Sequence, residues 1–122
     1  MPTYQNGCLF FIPGSYHETK NENPGIGINM DTIFKIYPQF LETPPAGVPM
    51  KAGSCSFHNG LTIHGAGANM TNGFRRAMTC AYMPDGAVFN GIKNILTDAQ
   101  LAKLKIGDLL NDDTQNPLIY KK

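Results

Sequence analysis

The chain has 122 residues and a formal net charge of +1, from ten basic and nine acidic residues. This length is enough for one domain with its own hydrophobic core, so we predict a single domain over 1–122. The basic residues form no long cluster, which argues against a nucleic-acid partner or a membrane-surface patch. The longest apolar run, 8–12, is far shorter than the ~20 residues of a membrane span.

The three cysteines are isolated from one another. Cys8, Cys55 and Cys80 each lie in or beside an apolar run, and no C-x-x-C pair occurs. An odd number of isolated cysteines favours reduced thiols buried in a core over a disulfide framework. Together with the lack of a signal-peptide pattern, this predicts a cytoplasmic protein.

The glycine and proline pattern predicts a mostly β fold. The chain contains 13 glycines and 9 prolines, which separate short apolar runs. In chain order, strands are predicted at 7–12, 48–50, 54–57, 61–63 and 77–83. A polar loop is predicted at 15–29, and a short strand or turn at 33–40.

One short helix is predicted near the C-terminus, at 98–105. Thr97 and Gln100 have the spacing of a capping box, in which each side chain bonds the other residue's backbone N–H. Leu101 and Leu104 supply an apolar stripe, and Gly107 is a plausible end of the helix.

Candidate functional residues concentrate in the segment 61–76, LTIHGAGANMTNGFRR. His64 follows a short apolar run and precedes four small residues, as is typical of a metal-ligand histidine at a strand end. Arg75 lies eleven residues later, and a guanidinium can bind a carboxylate with two parallel hydrogen bonds. Alternation along a strand directs Arg75 and Arg76 to opposite faces, and we expect Arg75 to face inward.

Structural roles remain as alternatives for the histidines. When the flanking motif is left aside, a histidine that follows an apolar run, as His64 does, is more often a structural residue than a ligand. His58 is interpreted as structural, with a position at the pocket as the alternative. His17, in a polar loop, is interpreted as a surface residue.

Several of these residues form a motif with a defined spacing. The order H-G-x-x-x-N-x-T-x-x-x-R is formed by His64, Gly65, Asn69, Thr71 and Arg75. K-A-G at 51–53 and N-G-C-L-F-F-I-P-G-S at 6–15 precede it. The combination resembles the phytanoyl-CoA dioxygenase family over nearly the whole chain. The resemblance implies a non-haem Fe(II), 2-oxoglutarate-dependent dioxygenase acting on a small organic substrate.

The resemblance also implies a fold and a set of site residues. The fold is a double-stranded β-helix, a jelly-roll of the cupin type. His64 resembles the second, distal iron histidine, and Arg75 resembles the arginine that binds the far carboxylate of 2-oxoglutarate. Asn69 and Thr71 shape the loop between them, His58 is a further pocket candidate, and no catalytic side chain is implied beyond the metal site.

The sequence departs from the family pattern at the iron site. The other two ligands of the family come from an H-x-D motif upstream of the N-G-x-L-x-x-x-P-G-S segment, and this sequence contains neither H-x-D nor H-x-E. We therefore expect the chain to be the C-terminal portion of an oxygenase domain and to be inactive by itself. The alternatives are a non-catalytic β-sandwich fragment or binding module, and a 2-oxoglutarate-dependent halogenase, in which glycine and halide replace the carboxylate.

A partial β-helix also predicts self-association. Without its upstream strands, such a fold exposes unpaired strand edges and one face of its core. We therefore expect a homodimer with two-fold symmetry, paired through these edges.

Overall fold

The computed structural model describes residues 3–20, 22, 27, 29 and 31–120. The chain separates into two compact units, Met1–Ala77 and Met78–Lys122. The prediction of one domain over 1–122 stays a prediction. Much of the predicted loop at 15–29 lies outside the described residues.

A three-stranded antiparallel sheet organises the first unit. The central strand, β1 (Leu9–Phe11), lies between β2 (Ala46–Val48) and β3 (His64–Ala66). Phe11 is therefore paired with Ala46 on one side and with His64 on the other. The prediction of a β-rich fold is confirmed, and the apolar run at 7–12 contains the strand that pairs on both sides.

Glycines flank and face this central strand. Gly7 has a φ of +83°, and a Cβ at this position would lie 2.6 Å from the carbonyl oxygen of Gly67. Any other residue at position 7 would be strained, because of the left-handed backbone and because of the close contact with the carbonyl oxygen of Gly67. Gly7 therefore lets the chain enter β1 directly beside the segment that follows β3.

The segment 33–40 is helical, which corrects the predicted strand or turn. Helix α1 (Thr32–Ile36) is followed by a 3-10 turn at Pro38–Phe40. Tyr37 and Phe40 are buried together with Ile12, and they form the core of the first unit. The apolar residues recur every three to four positions, which places them on one face of a helix.

Four other strand predictions are wrong in position or existence. β2 covers Ala46–Val48 instead of 48–50, and β3 starts at His64 instead of covering 61–63. Within the described part of the chain, residues 54–57 and 77–83 form no strand. Most of them are exposed, and a strand is not stable without a paired neighbour.

The short helix of the second unit is confirmed, although it is shorter than predicted. Helix α2 covers Asp98–Leu101, and the capping box between Thr97 and Gln100 is present. The Thr97 N–H donates to Gln100 Oε1 at 3.0 Å, and the Gln100 N–H donates to Thr97 Oγ1 at 3.3 Å. Phe89 is the buried aromatic residue of this unit.

Of the three cysteines predicted to be reduced and buried, one is buried. Cys8 is buried beside β1, whereas Cys55 and Cys80 are exposed free thiols. The two exposed thiols lie in the segments predicted as strands that did not form. Among the described residues, no helix has the length and apolar character needed to cross a bilayer.

Gly47 provides a test of the packing on one face of the sheet. A Cβ at this position would lie 2.5 Å from Cε1 of Tyr4 and 2.9 Å from Cε1 of Phe10. We expect Gly47→Ala to lower the free energy of unfolding by ~1–3 kcal/mol, the usual cost of overpacking. Urea denaturation followed by circular dichroism measures this change.

The matched control is Gly60→Ala, because a Cβ at Gly60 would meet no atom within 4 Å. Equal stability of the two variants would contradict the proposed packing of the Phe10 ring against Gly47.

Candidate functional site

His64 lies on edge strand β3, directly opposite Phe11 of the central strand. Its imidazole is exposed and stacks on the Phe11 ring, with 5.8 Å between centroids and 25° between planes. Nδ1 of His64 lies 2.8 Å from the carbonyl oxygen of Thr62. Because a carbonyl only accepts, Nδ1 carries the proton and Nε2 presents its lone pair. This is the arrangement of a metal-binding histidine whose second nitrogen is held by the protein.

Two buried hydroxyl groups position the residues before His64. Oγ of Ser15, a fully buried residue, accepts a hydrogen bond from the Ile63 N–H at 2.8 Å. The carbonyl oxygen of Ile63 accepts from the Ile12 N–H at 2.9 Å. Oγ1 of Thr19 donates to the carbonyl oxygen of Leu61. In the segment leading to His64, a backbone N–H group and two backbone carbonyl oxygens are therefore held by hydrogen bonds.

Sequence reasoning missed the role of these two residues. Ser15 and Thr19 both fall in the predicted polar loop at 15–29, and no contact with the segment before His64 was predicted for either. The available signal was a small polar residue directly after the Pro13-Gly14 turn, where a hydroxyl can bond a neighbouring backbone. Its partner is 48 residues away, which no local pattern reveals.

The structure brings His58 next to His64. Their ring centroids are 4.4 Å apart, with 59° between the planes. The edge of His58 also meets Phe11, at 5.1 Å between centroids. Partial burial lowers the pKa of His58, and the neighbouring His64 lowers it further. His17, by contrast, is exposed, as predicted.

His58 also lines a cleft of about 430 Å³ in the first unit. Its walls are mostly apolar and include Phe11, Val48 and Phe57, with Tyr16 and Thr62 as polar members. Clefts of this size and character are typical of sites for small organic ligands. His58 therefore lies in the wall of an open, mostly apolar cleft, whereas His64 is not one of its lining residues.

Asn69 organises the loop between His64 and Arg75. Its Oδ1 accepts from the N–H of Thr71 at 3.0 Å and from the Thr71 hydroxyl at 2.7 Å. Its Nδ2 donates to the carbonyl oxygen of Gly73 at 2.8 Å. These bonds close a tight turn through the amide side chain, which is how Asn69 and Thr71 shape the loop.

The two adjacent arginines have different surroundings. Arg75 is half-buried, and it forms no ion pair or hydrogen bond within the described part of the chain. Arg76 is exposed, and its guanidinium lies 5.3 Å from the centroid of the Phe74 ring, in a cation–π contact. Within the described residues neither guanidinium donates a hydrogen bond, and the two arginines differ in burial and in the contact of Arg76 with Phe74.

Ser15→Ala tests how His64 is held. The substitution removes the acceptor of the Ile63 N–H, and an unsatisfied buried donor costs ~1–3 kcal/mol. We expect a loss of stability of this size in urea denaturation, together with shifts of the His64 ring signals in NMR spectra. Ser54→Ala, at an exposed position, is the control. Unchanged His64 signals in Ser15→Ala would show that Ser15 does not position this imidazole.

Comparison with known proteins identifies the family. Residues 3–77 match the family Phytanoyl-CoA dioxygenase (PhyH), a range that nearly coincides with the first unit. The chain is 35% identical over 89 residues to a probable phytanoyl-CoA dioxygenase of Caenorhabditis elegans, covering 68% of this chain and 28% of the relative. It is 30% identical over 94 residues to the peroxisomal phytanoyl-CoA dioxygenase of Rattus norvegicus, covering 72% and 27%.

The match extends over only part of each relative. The chain spans less than a third of the length of these proteins. No solved structure matches it. The family model and the identities nevertheless agree on one assignment. The chain belongs to the phytanoyl-CoA dioxygenase family.

Proposed function

We propose that this chain supplies part of the site of an Fe(II)/2-oxoglutarate-dependent hydroxylase. His64 is the iron ligand, and Arg75 is the partner of the far carboxylate of 2-oxoglutarate. The observation that carries the proposal is the imidazole of His64, whose Nδ1 is held by Thr62 while Nε2 remains available. Family membership supports the choice of metal and cosubstrate.

Arg75 is proposed as the carboxylate anchor because its guanidinium is not used within the described chain. Its half-buried position reduces competition from water, which strengthens a charge-assisted bond to a carboxylate. The neighbouring Arg76 already contacts Phe74 and faces solvent. The turn closed by Asn69 keeps the segment before Arg75 in one conformation.

The described residues do not by themselves complete an iron site. A facial triad requires two histidines and one carboxylate. The described residues contain no cluster of three or more histidine, cysteine, aspartate or glutamate side chains. His58 adds a second imidazole but no carboxylate. We therefore propose that the chain alone does not turn over 2-oxoglutarate, and that its contribution is one ligand and one carboxylate anchor.

The cleft beside His58 is proposed to receive the substrate. Phe11, Val48 and Phe57 give it an apolar wall, which suits a small organic molecule with an apolar portion. The three-stranded antiparallel sheet is proposed to be part of a double-stranded β-helix. In this arrangement, β1 separates the strand that carries His64 from β2.

The test is an anaerobic titration of the chain with Fe(II) and 2-oxoglutarate. We expect NMR shifts at Arg75 when 2-oxoglutarate is added, because a carboxylate binds its guanidinium. We expect neither the visible charge-transfer band of chelated iron nor succinate release in air, since the triad is incomplete.

Arg75→Gln is expected to abolish the response to 2-oxoglutarate, and Arg76→Gln is the matched control that retains it. Loss of the response only in Arg76→Gln would contradict the role of Arg75. A charge-transfer band that disappears in both His64→Ala and Arg75→Gln would show that the chain holds a complete site.

We also propose that the chain forms a two-fold homodimer through its strand edges. Among the described residues, β2 and β3 each pair with a neighbour on one side only. Phe57 and Phe74 are 85% and 88% exposed in the same unit. Open edges and exposed aromatic residues are the features that self-association covers.

Sedimentation at tens of micromolar is expected to give the mass of a dimer. Ala66→Lys, which places a charge on the open edge of β3, is expected to shift the chain toward the monomer. Ala68→Lys, at an exposed position just beyond the strand, is the control. A compact monomer in the unmodified chain would contradict the proposal.

A further inference from the structure

His58 and His64 have the spacing of two imidazoles that share one metal ion. Imidazoles bound side by side, with metal–nitrogen distances of about 2.1 Å, place their ring centroids roughly 4.5–5.5 Å apart. The observed separation is 4.4 Å, and the planes are inclined by 59°. The centroid separation is therefore close to that of two imidazoles bound to one ion.

Both rings have a nitrogen available for a metal. Nδ1 of His64 donates to Thr62, which leaves Nε2 as a ligand atom. His58 forms no hydrogen bond within the described part of the chain, so neither of its nitrogens is committed. Both rings also rest against Phe11, which limits their rotation and lowers the entropic cost of holding them together.

We propose that His58 and His64 form a two-imidazole site for a late first-row divalent metal ion, with water completing the coordination. Imidazole ligands suit Ni(II), Cu(II) and Zn(II), and affinity for nitrogen ligands rises from Fe(II) to Ni(II) and Cu(II). Among the described residues, no cluster of three or more histidine, cysteine, aspartate or glutamate side chains is present, so the pair has no third protein ligand there. The site therefore binds Ni(II) and Cu(II) more tightly than Fe(II).

This site shares His64 with the proposed hydroxylase site and differs from it in the second ligand. His58 lies outside the H-G-x-x-x-N-x-T-x-x-x-R motif and is not part of an H-x-D sequence. Its role comes from the contacts of its ring with Phe11 of β1 and with His64. Binding at the pair requires neither Arg75 nor 2-oxoglutarate.

The test is calorimetric titration of the untagged full chain with Ni(II). Cys55→Ser and Cys80→Ser are introduced first, because both thiols are exposed and bind metals themselves. In this background we expect one Ni(II) per chain. His58→Asn and His64→Asn should each weaken binding by roughly tenfold or more, because each removes the second, intramolecular contact of a linked pair.

His17→Asn is the matched control, since His17 is an exposed histidine of the same unit outside the pair. NMR supplies a second readout, because paramagnetic Ni(II) should broaden the ring signals of His58 and His64 but not those of His17. Both results together would establish the two-imidazole site.

Three outcomes would overturn the inference. If His64→Asn lowers the Ni(II) affinity and His58→Asn does not, His64 is a ligand and His58 is not. This result would contradict the two-imidazole site and leave the proposed hydroxylase role of His64 unaffected. Unchanged affinity in both variants would place the ion elsewhere. Ring signals of His58 that stay sharp when Ni(II) is bound would show that this imidazole is not a ligand and would contradict the two-imidazole site.

Discussion

The hydrogen bond from the Ile63 N–H to the buried hydroxyl of Ser15 connects the candidate site to the rest of the first unit. Ile63 directly precedes β3, and its carbonyl oxygen also accepts from Ile12 at the end of β1. A shift of one residue along β3 would turn every side chain of the strand to the opposite face. The bond to Ser15 therefore helps fix the register in which His64 is paired with Phe11 and Gly65 with Phe10.

The central strand presents two different aromatic faces. Side chains alternate along a strand, so Phe10 and Phe11 lie on opposite sides of the sheet. The Phe10 ring lies against positions where only hydrogen fits, since a Cβ at Gly47 or Gly67 would approach it within 2.9 and 3.0 Å. The Phe11 ring instead contacts His58 and His64. One face of this small sheet serves packing, and the other carries the candidate site.

The candidate site residues are of two chemical kinds, imidazole and guanidinium. The two imidazoles offer ring nitrogens, and the pKa of His58 is lowered by partial burial and by the neighbouring His64. Arg75 offers a permanent positive charge after a turn closed by Asn69. The two imidazoles and the guanidinium of Arg75 therefore belong to the same unit but to different segments of it. The chain belongs to the phytanoyl-CoA dioxygenase family and spans less than a third of the length of its relatives.

The sequence alone determined the features that depend on local spacing. Three short-range patterns are of this kind: the capping box of Thr97 and Gln100, the apolar run of β1, and the motif from His64 to Arg75. Only the tertiary structure decided the strand boundaries, the helix at 32–36 and the approach of His58 to His64. The contact of Ser15 with Ile63 spans 48 residues. The physical reason is that register and side-chain contacts depend on which distant backbone becomes a neighbour, and local periodicity carries no information about that choice.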